Sequence, residues 1–181
     1  MSKKFIRKKL LKLRKKKSNN LYIKNLSIEL AIKKSNLKKI ETIGAYYPIN
    51  FEVDCFQILK KIEKNGYKIS LPVAEAEGIM DFFKWSFNDP LNIGNMGVPE
   101  PYKTKKIYPD LLIVPLVAFD KFKYRLGYGG GYYDRYIKKI KEIKKIVTVG
   151  LAFSFQEVKN LPKNKYDKKL DFIITEKEIL K

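Results

Sequence analysis

Leu111-Leu112-Ile113-Val114-Pro115-Leu116-Val117 precedes, by a short spacer, the segment Arg125-Leu126-Gly127-Tyr128-Gly129-Gly130-Gly131-Tyr132-Tyr133-Asp134. The first run is continuously apolar, of strand length, and β-branched at Ile113, Val114 and Val117, which suits a strand buried on both faces. From Tyr132 to Ile143 the apolar residues resume a helical pattern. A doubly buried strand, a glycine loop and a helix, in that order, are the parts of an α/β sheet.

The same alternation extends outward in both directions. Downstream, Ile146 to Ala152 reads as a strand, and Asp171 to Thr175 as a last strand before a short terminal helix. Upstream, Thr42 to Pro48 reads as a strand, Phe51 to Asn65 as a helix ended by Gly66, Lys68 to Val73 as a strand, and Ile79 to Trp85 as a further apolar segment. Asn88 to Pro109, rich in proline and glycine, reads as an extended irregular stretch of the kind that often carries function. The first forty residues read as a surface helix pair. Phe5, Ile6, Leu10, Leu11 and Leu13 come first, then a break at Ser18-Asn19-Asn20, then Leu26, Leu30, Ile32 and Leu37. No internal repeat is visible, and the one low-complexity stretch is the lysine-rich Lys3 to Lys17. At 181 residues, a single domain over 1–181 with its own core is expected.

Composition narrows the function. With 45% hydrophobic and 13% aromatic residues the chain is globular. Its one cysteine, Cys55, precludes an internal disulfide, and the lack of any histidine precludes a His/Cys zinc site. No stretch approaches the roughly 18 to 20 apolar residues of a membrane span, so a cytoplasmic protein with no membrane partner is expected. The net charge of +20 invites a basic nucleic-acid-binding reading. Against it, only Arg7, Arg14, Arg125 and Arg135 among 39 basic residues are arginines, and the lysines are spread along the whole chain. A solvated lysine surface is therefore expected in place of a nucleic-acid face.

Gly127, Gly129, Gly130 and Gly131 let the backbone turn tightly and present N–H groups to an anion, with the dipole of the following helix acting on the same charge. Arg125 would add a charge-assisted fork. A plain strand-to-helix turn is the alternative; the segment is neither a Walker loop nor a dinucleotide fingerprint. Asp134 could reach a magnesium ion on phosphate oxygens or could simply complement the helix dipole. Lys3 and Arg7 share a helix face and could close over a triphosphate, or be solvated surface. Glu52 could be a dipole-favoured surface residue or face a ligand at a strand end.

Taken together, the segment Arg125 to Asp134, preceded by Pro-x-x-Ala-Phe-Asp at 115–120, resembles the signature of the 5-formyltetrahydrofolate cyclo-ligases. Lys3 and Arg7, Glu52-Val53-Asp54, Pro99-Glu100-Pro101, Gly150-Leu151-Ala152-Phe153, Gln156, Leu161-Pro162, Asp167 and Leu170-Asp171 support the resemblance. It implies an open, mostly parallel sheet flanked by helices, three-layered and Rossmann-like. It also implies the conversion of 5-formyltetrahydrofolate and ATP to 5,10-methenyltetrahydrofolate, ADP and phosphate, with Mg2+, through a phosphorylated formyl group. By resemblance, Lys3, Arg7, Arg125, Gly127, Gly129, Gly130, Gly131, Tyr132 and Tyr133 would hold ATP, with Arg125 also catalytic, and Asp134 and Asp167 would bind the metal. Tyr47, Glu52, Met80, Met96 and Tyr132 would face the folate, in a protein expected to be a monomer. A core-packing role is open for both methionines. The chain departs from the pattern at Gly130, a lysine in some members, at Tyr166, commonly histidine, and at Met96, aromatic in some relatives. Beside this stand a nucleic-acid-binding α/β protein, for which the twelve tyrosines could stack on bases, and a phosphosugar or acyl-transfer enzyme of similar fold.

Overall fold

The structure, a computed structural model, describes residues 1–18, 23, 25–35, 37 and 39–181, with the backbone alone at 25–27. Helices are α1 (Lys3–Lys17), α2 (Asn25–Lys34), α3 (Phe56–Lys64) and α4 (Tyr132–Ile143). Strands are β1 (Thr42–Gly44), β2 (Lys68–Ala74), β3 (Met80–Trp85), β4 (Leu91–Ile93), β5 (Pro99–Pro101), β6 (Lys106–Ile107), β7 (Leu111–Pro115), β8 (Ala118–Phe119), β9 (Arg125–Leu126), β10 (Val147–Leu151), β11 (Phe172–Ile174) and β12 (Ile179–Leu180).

An eight-stranded mixed sheet runs β12-β11-β10-β7-β1-β2-β3-β6. Its five central strands, β11, β10, β7, β1 and β2, are parallel, and β12, β3 and β6 close the edges antiparallel. Strand β7 explains the layering. Leu111 and Ile113 pack with Ile58, Leu59 and Ile62 of α3 and with Ile28 and Ala31 of α2 on one face. Leu112 and Val114 pack with Tyr136, Ile137 and Ile140 of α4 on the other. Alternate side chains of a strand point to opposite faces, so a strand apolar throughout needs helices on both sides. The mostly parallel, three-layer architecture expected from the sequence is the one observed.

Several boundaries differ from the sequence reading. The strand expected to reach Pro48 leaves the sheet after Gly44. The helix expected from Phe51 begins at Phe56, because Asn50 and Phe51 adopt positive φ (48° and 61°) and the Asp54 carboxylate caps the Phe56 N–H at 2.8 Å. The irregular stretch from Asn88 contains the hairpin β4–β5 and the edge strand β6. The terminal helix is replaced by β12. The Thr175 hydroxyl accepts the Lys177 and Glu178 N–H groups (3.2 and 3.0 Å), turning the chain back onto β11. The expected helix pair is divided: α2 packs on α3 and β11, whereas Ile6 and Leu10 of α1 pack with Val117, Ala118, Leu126 and Leu161. The break at Asn19-Asn20 and the side chain of Leu26 lie outside the described residues.

Candidate active site

From β1 the chain crosses by α3 to β2 on one side, and from β7 by α4 to β10 on the other. The gap beyond the carboxyl ends of β1 and β7 is therefore a topological switch point, the place where open α/β sheets hold ligands. Three segments meet there: the loop after β1 with Glu52, the β8–β9 hairpin leading into the glycine loop, and α1.

The hairpin is set by Asp120, 0% exposed, whose carboxylate accepts the N–H groups of Phe122 (3.0 Å) and Tyr124 (3.1 Å) and lies 3.8 Å from Lys163 Nζ. This turn aims Arg125 inward, to 8% exposure. Its Nη2 meets Asp134 Oδ1 at 3.0 Å and its Nη1 donates to the Lys168 carbonyl at 3.0 Å, while the Lys168 N–H donates to the same Asp134 oxygen, also at 3.0 Å. Burial pulls the Arg125 pKa down and the Asp134 carboxylate opposes that pull.

Beyond Arg125 the loop is open to an anion. Gly129 and Gly131 have φ of +117° and +71°, a region that a side chain would strain. The Cβ of any residue at 130 would fall 2.8 Å from the Tyr132 ring. Among the described residues, no N–H from Gly127 to Gly131 donates to a protein acceptor, and the start of α4 has no side-chain cap. The carbonyls, in contrast, are held. Arg7 Nε donates to the Gly127 carbonyl at 2.7 Å, and Arg135 donates to the carbonyls of Gly130 and, at 3.0 Å, Gly78. The Tyr132 hydroxyl donates to the Glu75 carbonyl at 3.0 Å and lies 3.8 Å from Met96 Sδ, and the Arg135 guanidinium lies over the Tyr132 ring.

Asp134 and Asp167 are close in space through Lys168. Asp167 Oδ2 accepts Lys3 Nζ at 2.6 Å and the Asn164 N–H at 2.7 Å. Among the described residues no protein donor meets Asp134 Oδ2 or Asp167 Oδ1, so each carboxylate has one oxygen that a hard cation could take. No group of three or more His, Cys, Asp or Glu side chains gathers among the described residues. Two carboxylates completed by phosphate oxygens and water are a set that suits Mg2+.

On the β1 side, Glu52 is 9% exposed. Its Oε2 accepts the Ile49 N–H at 3.0 Å, and its Oε1 is buried without a partner among the described residues. Burial pushes its pKa up to about 7, against the pull of the Ile49 N–H and of the Arg14 charge. Tyr47 is half-buried, edge-on to Phe56 with ring centroids 5.2 Å apart. Tyr133 is partly buried and packs against the core beneath α4; burial first, and the Glu52 charge second, push its hydroxyl pKa well up. Met80 is buried in the core beneath α4, whereas Met96 is exposed at the β4–β5 turn.

The structure thus brings together Lys3, Arg7, Arg125, the four glycines, Tyr132, Asp134 and Asp167. The sequence reading missed Arg14 and Arg135. Their signal was present: all four arginines of a chain with 39 basic residues contact the segment Arg125 to Asp134 or form part of it.

Fold and site define an open-sheet α/β protein that presents free N–H groups at a helix start, beside a carboxylate pair and a buried carboxyl. The chain belongs to the 5-formyltetrahydrofolate cyclo-ligase family, whose sequence pattern matches residues 1–176. The 5-formyltetrahydrofolate cyclo-ligase of Haemophilus influenzae is 30% identical over 137 residues, 72% of this chain and 73% of that one. The Mycoplasma genitalium cyclo-ligase is 31% identical over 158 residues, 80% of this chain and 92% of that one. Among solved structures, a 5,10-methenyltetrahydrofolate synthetase from Mycoplasma pneumoniae superposes with a TM-score of 0.74 at 26% identity, covering 97% of this chain and 99% of that one. The synthetase of Aquifex aeolicus gives 0.74 at 32% identity, covering 99% and 92%.

Proposed function

We propose that this enzyme converts 5-formyltetrahydrofolate to 5,10-methenyltetrahydrofolate at the expense of ATP, with Mg2+, through a phosphorylated formyl group. The observation that carries the ATP part is the glycine loop, whose N–H groups lack protein acceptors among the described residues while arginines hold carbonyls of the loop. Such a loop is preorganised for phosphate oxygens. In the reaction the γ-phosphoryl group leaves ADP for the formyl oxygen. N10 then adds to the formyl carbon and gives up its proton, and the carbon–oxygen bond breaks as phosphate departs. No enzyme nucleophile is needed, so catalysis is positioning and neutralisation of charge.

In this reading Lys3, Arg7 and the loop from Arg125 to Tyr133 hold ATP, with Arg125 next to the transferring group. Asp134 and Asp167 would hold the magnesium ion, which would supply charge neutralisation between phosphate oxygens. Glu52, with one oxygen unpartnered among the described residues, would accept hydrogen bonds from the pterin nitrogens, with Tyr47, Tyr132 and Met96 around the ring and Met80 left to core packing beneath α4. Buried, free Cys55 suits a reducing cytoplasm, and the described residues contain no helix long and apolar enough to cross a membrane. The test is near-ultraviolet absorbance of the methenyl product with purified protein, 5-formyltetrahydrofolate, ATP and magnesium. Product that appears only with ATP supports the reading; none from folded protein overturns it.

A further inference from the structure

Arg14 heads the large side chains that are fully removed from solvent, at 1% exposure, and the reaction described above gives it no role. It follows Lys3 and Arg7 on the same face of α1, at spacings of eleven and seven residues. Each of its nitrogens donates to a different segment. Nε binds the Asn50 carbonyl at 2.9 Å, Nη1 the Leu116 carbonyl at 3.1 Å, and Nη2 the Tyr128 hydroxyl, whose ring also lies beside the guanidinium at 5.7 Å. None of the ion pairs among the described residues includes it. Its hydrogen-bond acceptors are all neutral, and the Glu52 carboxyl feels its charge without forming an ion pair with it; burying a guanidinium on such terms is expensive, and an apolar side chain would fill the space at lower cost.

The three acceptors sit on both sides of the switch point. Asn50 lies in the positive-φ turn closed by the Glu52 N–H on the Ile49 carbonyl at 2.9 Å, the turn that presents the Glu52 carboxyl. Leu116 follows β7, and Tyr128 is the side chain in the middle of the glycine loop. A planar fork meets acceptors in three directions at once, which an ammonium cannot do.

We propose that Arg14 is a positioning residue which, through Tyr128, couples the phosphate loop to the turn carrying Glu52, so that ATP and the folate bind with positive cooperativity. The idea rests on the reading of these two sites given under Proposed function. An anion held by the loop N–H groups orders Tyr128, Tyr128 holds the guanidinium, and the guanidinium holds the Asn50 turn. The second ligand then meets a turn already ordered, and linkage makes the effect equal in both directions.

The test is calorimetric titration with the magnesium complex of a non-hydrolysable ATP analogue, with and without saturating 5-formyltetrahydrofolate. Wild type, Tyr128→Phe and Arg14→Lys would be compared. Tyr128→Phe keeps the ring and removes only the hydroxyl, so it does not depend on tolerating a hole in the core. In wild type the folate should tighten the analogue about ten-fold. In both variants that ratio should fall below about three-fold, whatever happens to either affinity alone, because the ratio cancels single-site effects. A wild-type ratio near one, with both ligands binding, overturns the coupling alone, as does an undiminished ratio in Tyr128→Phe. Wild type that binds neither ligand overturns the site reading beneath it.

Discussion

The two flanks of the switch point are chemically unlike. Around the glycine loop, backbone N–H groups point at no protein acceptor among the described residues, and Arg7, Arg125 and Arg135 crowd the segment. Around Glu52 the polar groups are few and buried, one carboxyl oxygen is unpartnered, and Tyr46, Tyr47 and Phe56 supply apolar walls. The first flank is built for a highly charged anion that brings its own hydration. The second suits a flat, neutral heterocycle with hydrogen-bond donors. One sheet edge thus offers two dielectric environments side by side, which the proposed transfer of a phosphoryl group onto an amide-like oxygen would use.

Substitutions that act on one flank only would sharpen the contrast, and those that disturb both would break it. Arg125→Ala should lower kcat by about 10² or more, as lost electrostatic donors do, while the KM for 5-formyltetrahydrofolate moves little. Steady-state kinetics with both substrates varied would decide, and an equal loss on the folate side would mean that the flanks are not separate. Glu52→Gln should raise the folate KM about ten-fold, in line with the loss of a charge-assisted hydrogen bond, and leave the ATP KM within about two-fold.

Glu52→Gln also has a pH signature. The folded pKa of Glu52, about 7, lies above the ordinary value of 4.5, so the stability it contributes is complete below about pH 4.5 and lost as pH rises through 7. The glutamine variant should therefore gain on wild type, in denaturant midpoints, by up to about 3 kcal/mol between pH 4.5 and pH 8. Parallel pH curves for the two proteins would show that Glu52 ionises normally. Asp134→Asn should shift the magnesium requirement upward by several-fold at saturating ATP, and an unchanged metal titration would remove Asp134 from the metal set. At the bottom of the scale, Lys138→Gln on the exposed face of α4 should alter stability by no more than about 0.5 kcal/mol, with kinetics unchanged. A clear effect there would mean that the lysine surface is not merely solvated.

The glycine-loop flank was readable in the sequence because its chemistry is local: glycines, Arg125, Asp134 and the helix start lie within ten consecutive residues. The core strand β7 and helix α4 were readable for a similar reason, since uninterrupted apolarity and helical spacing each leave one solution. The Glu52 flank was not readable in the same way. The burial of that carboxyl depends on a positive-φ turn at Asn50 and Phe51, two residue types that carry no strong turn signal together, and on an arginine from α1. The β4–β5 hairpin was hidden because Pro99-Glu100-Pro101 reads as loop, although prolines are admissible in a strand with a free edge. Arg14 carries no local signal, because its partners Asn50, Leu116 and Tyr128 are all far from it in the chain. The scarcity of arginine, used to argue against nucleic acid, also marked where forked donors are needed.

Helix α1 reaches partners very distant in the chain: Lys3 meets Asp167, Arg7 meets Gly127, and Arg14 meets Leu116 and Tyr128. During synthesis α1 leaves the ribosome while those partners have yet to be made. Its Ile6 and Leu10 pack with Val117, Ala118, Leu126 and Leu161, all made much later. Contacts between segments so far apart in the chain slow folding. A chain cut before residue 167 would therefore carry the glycine loop with no Asp167 to receive Lys3, so this edge of the sheet assembles only after that segment is in place.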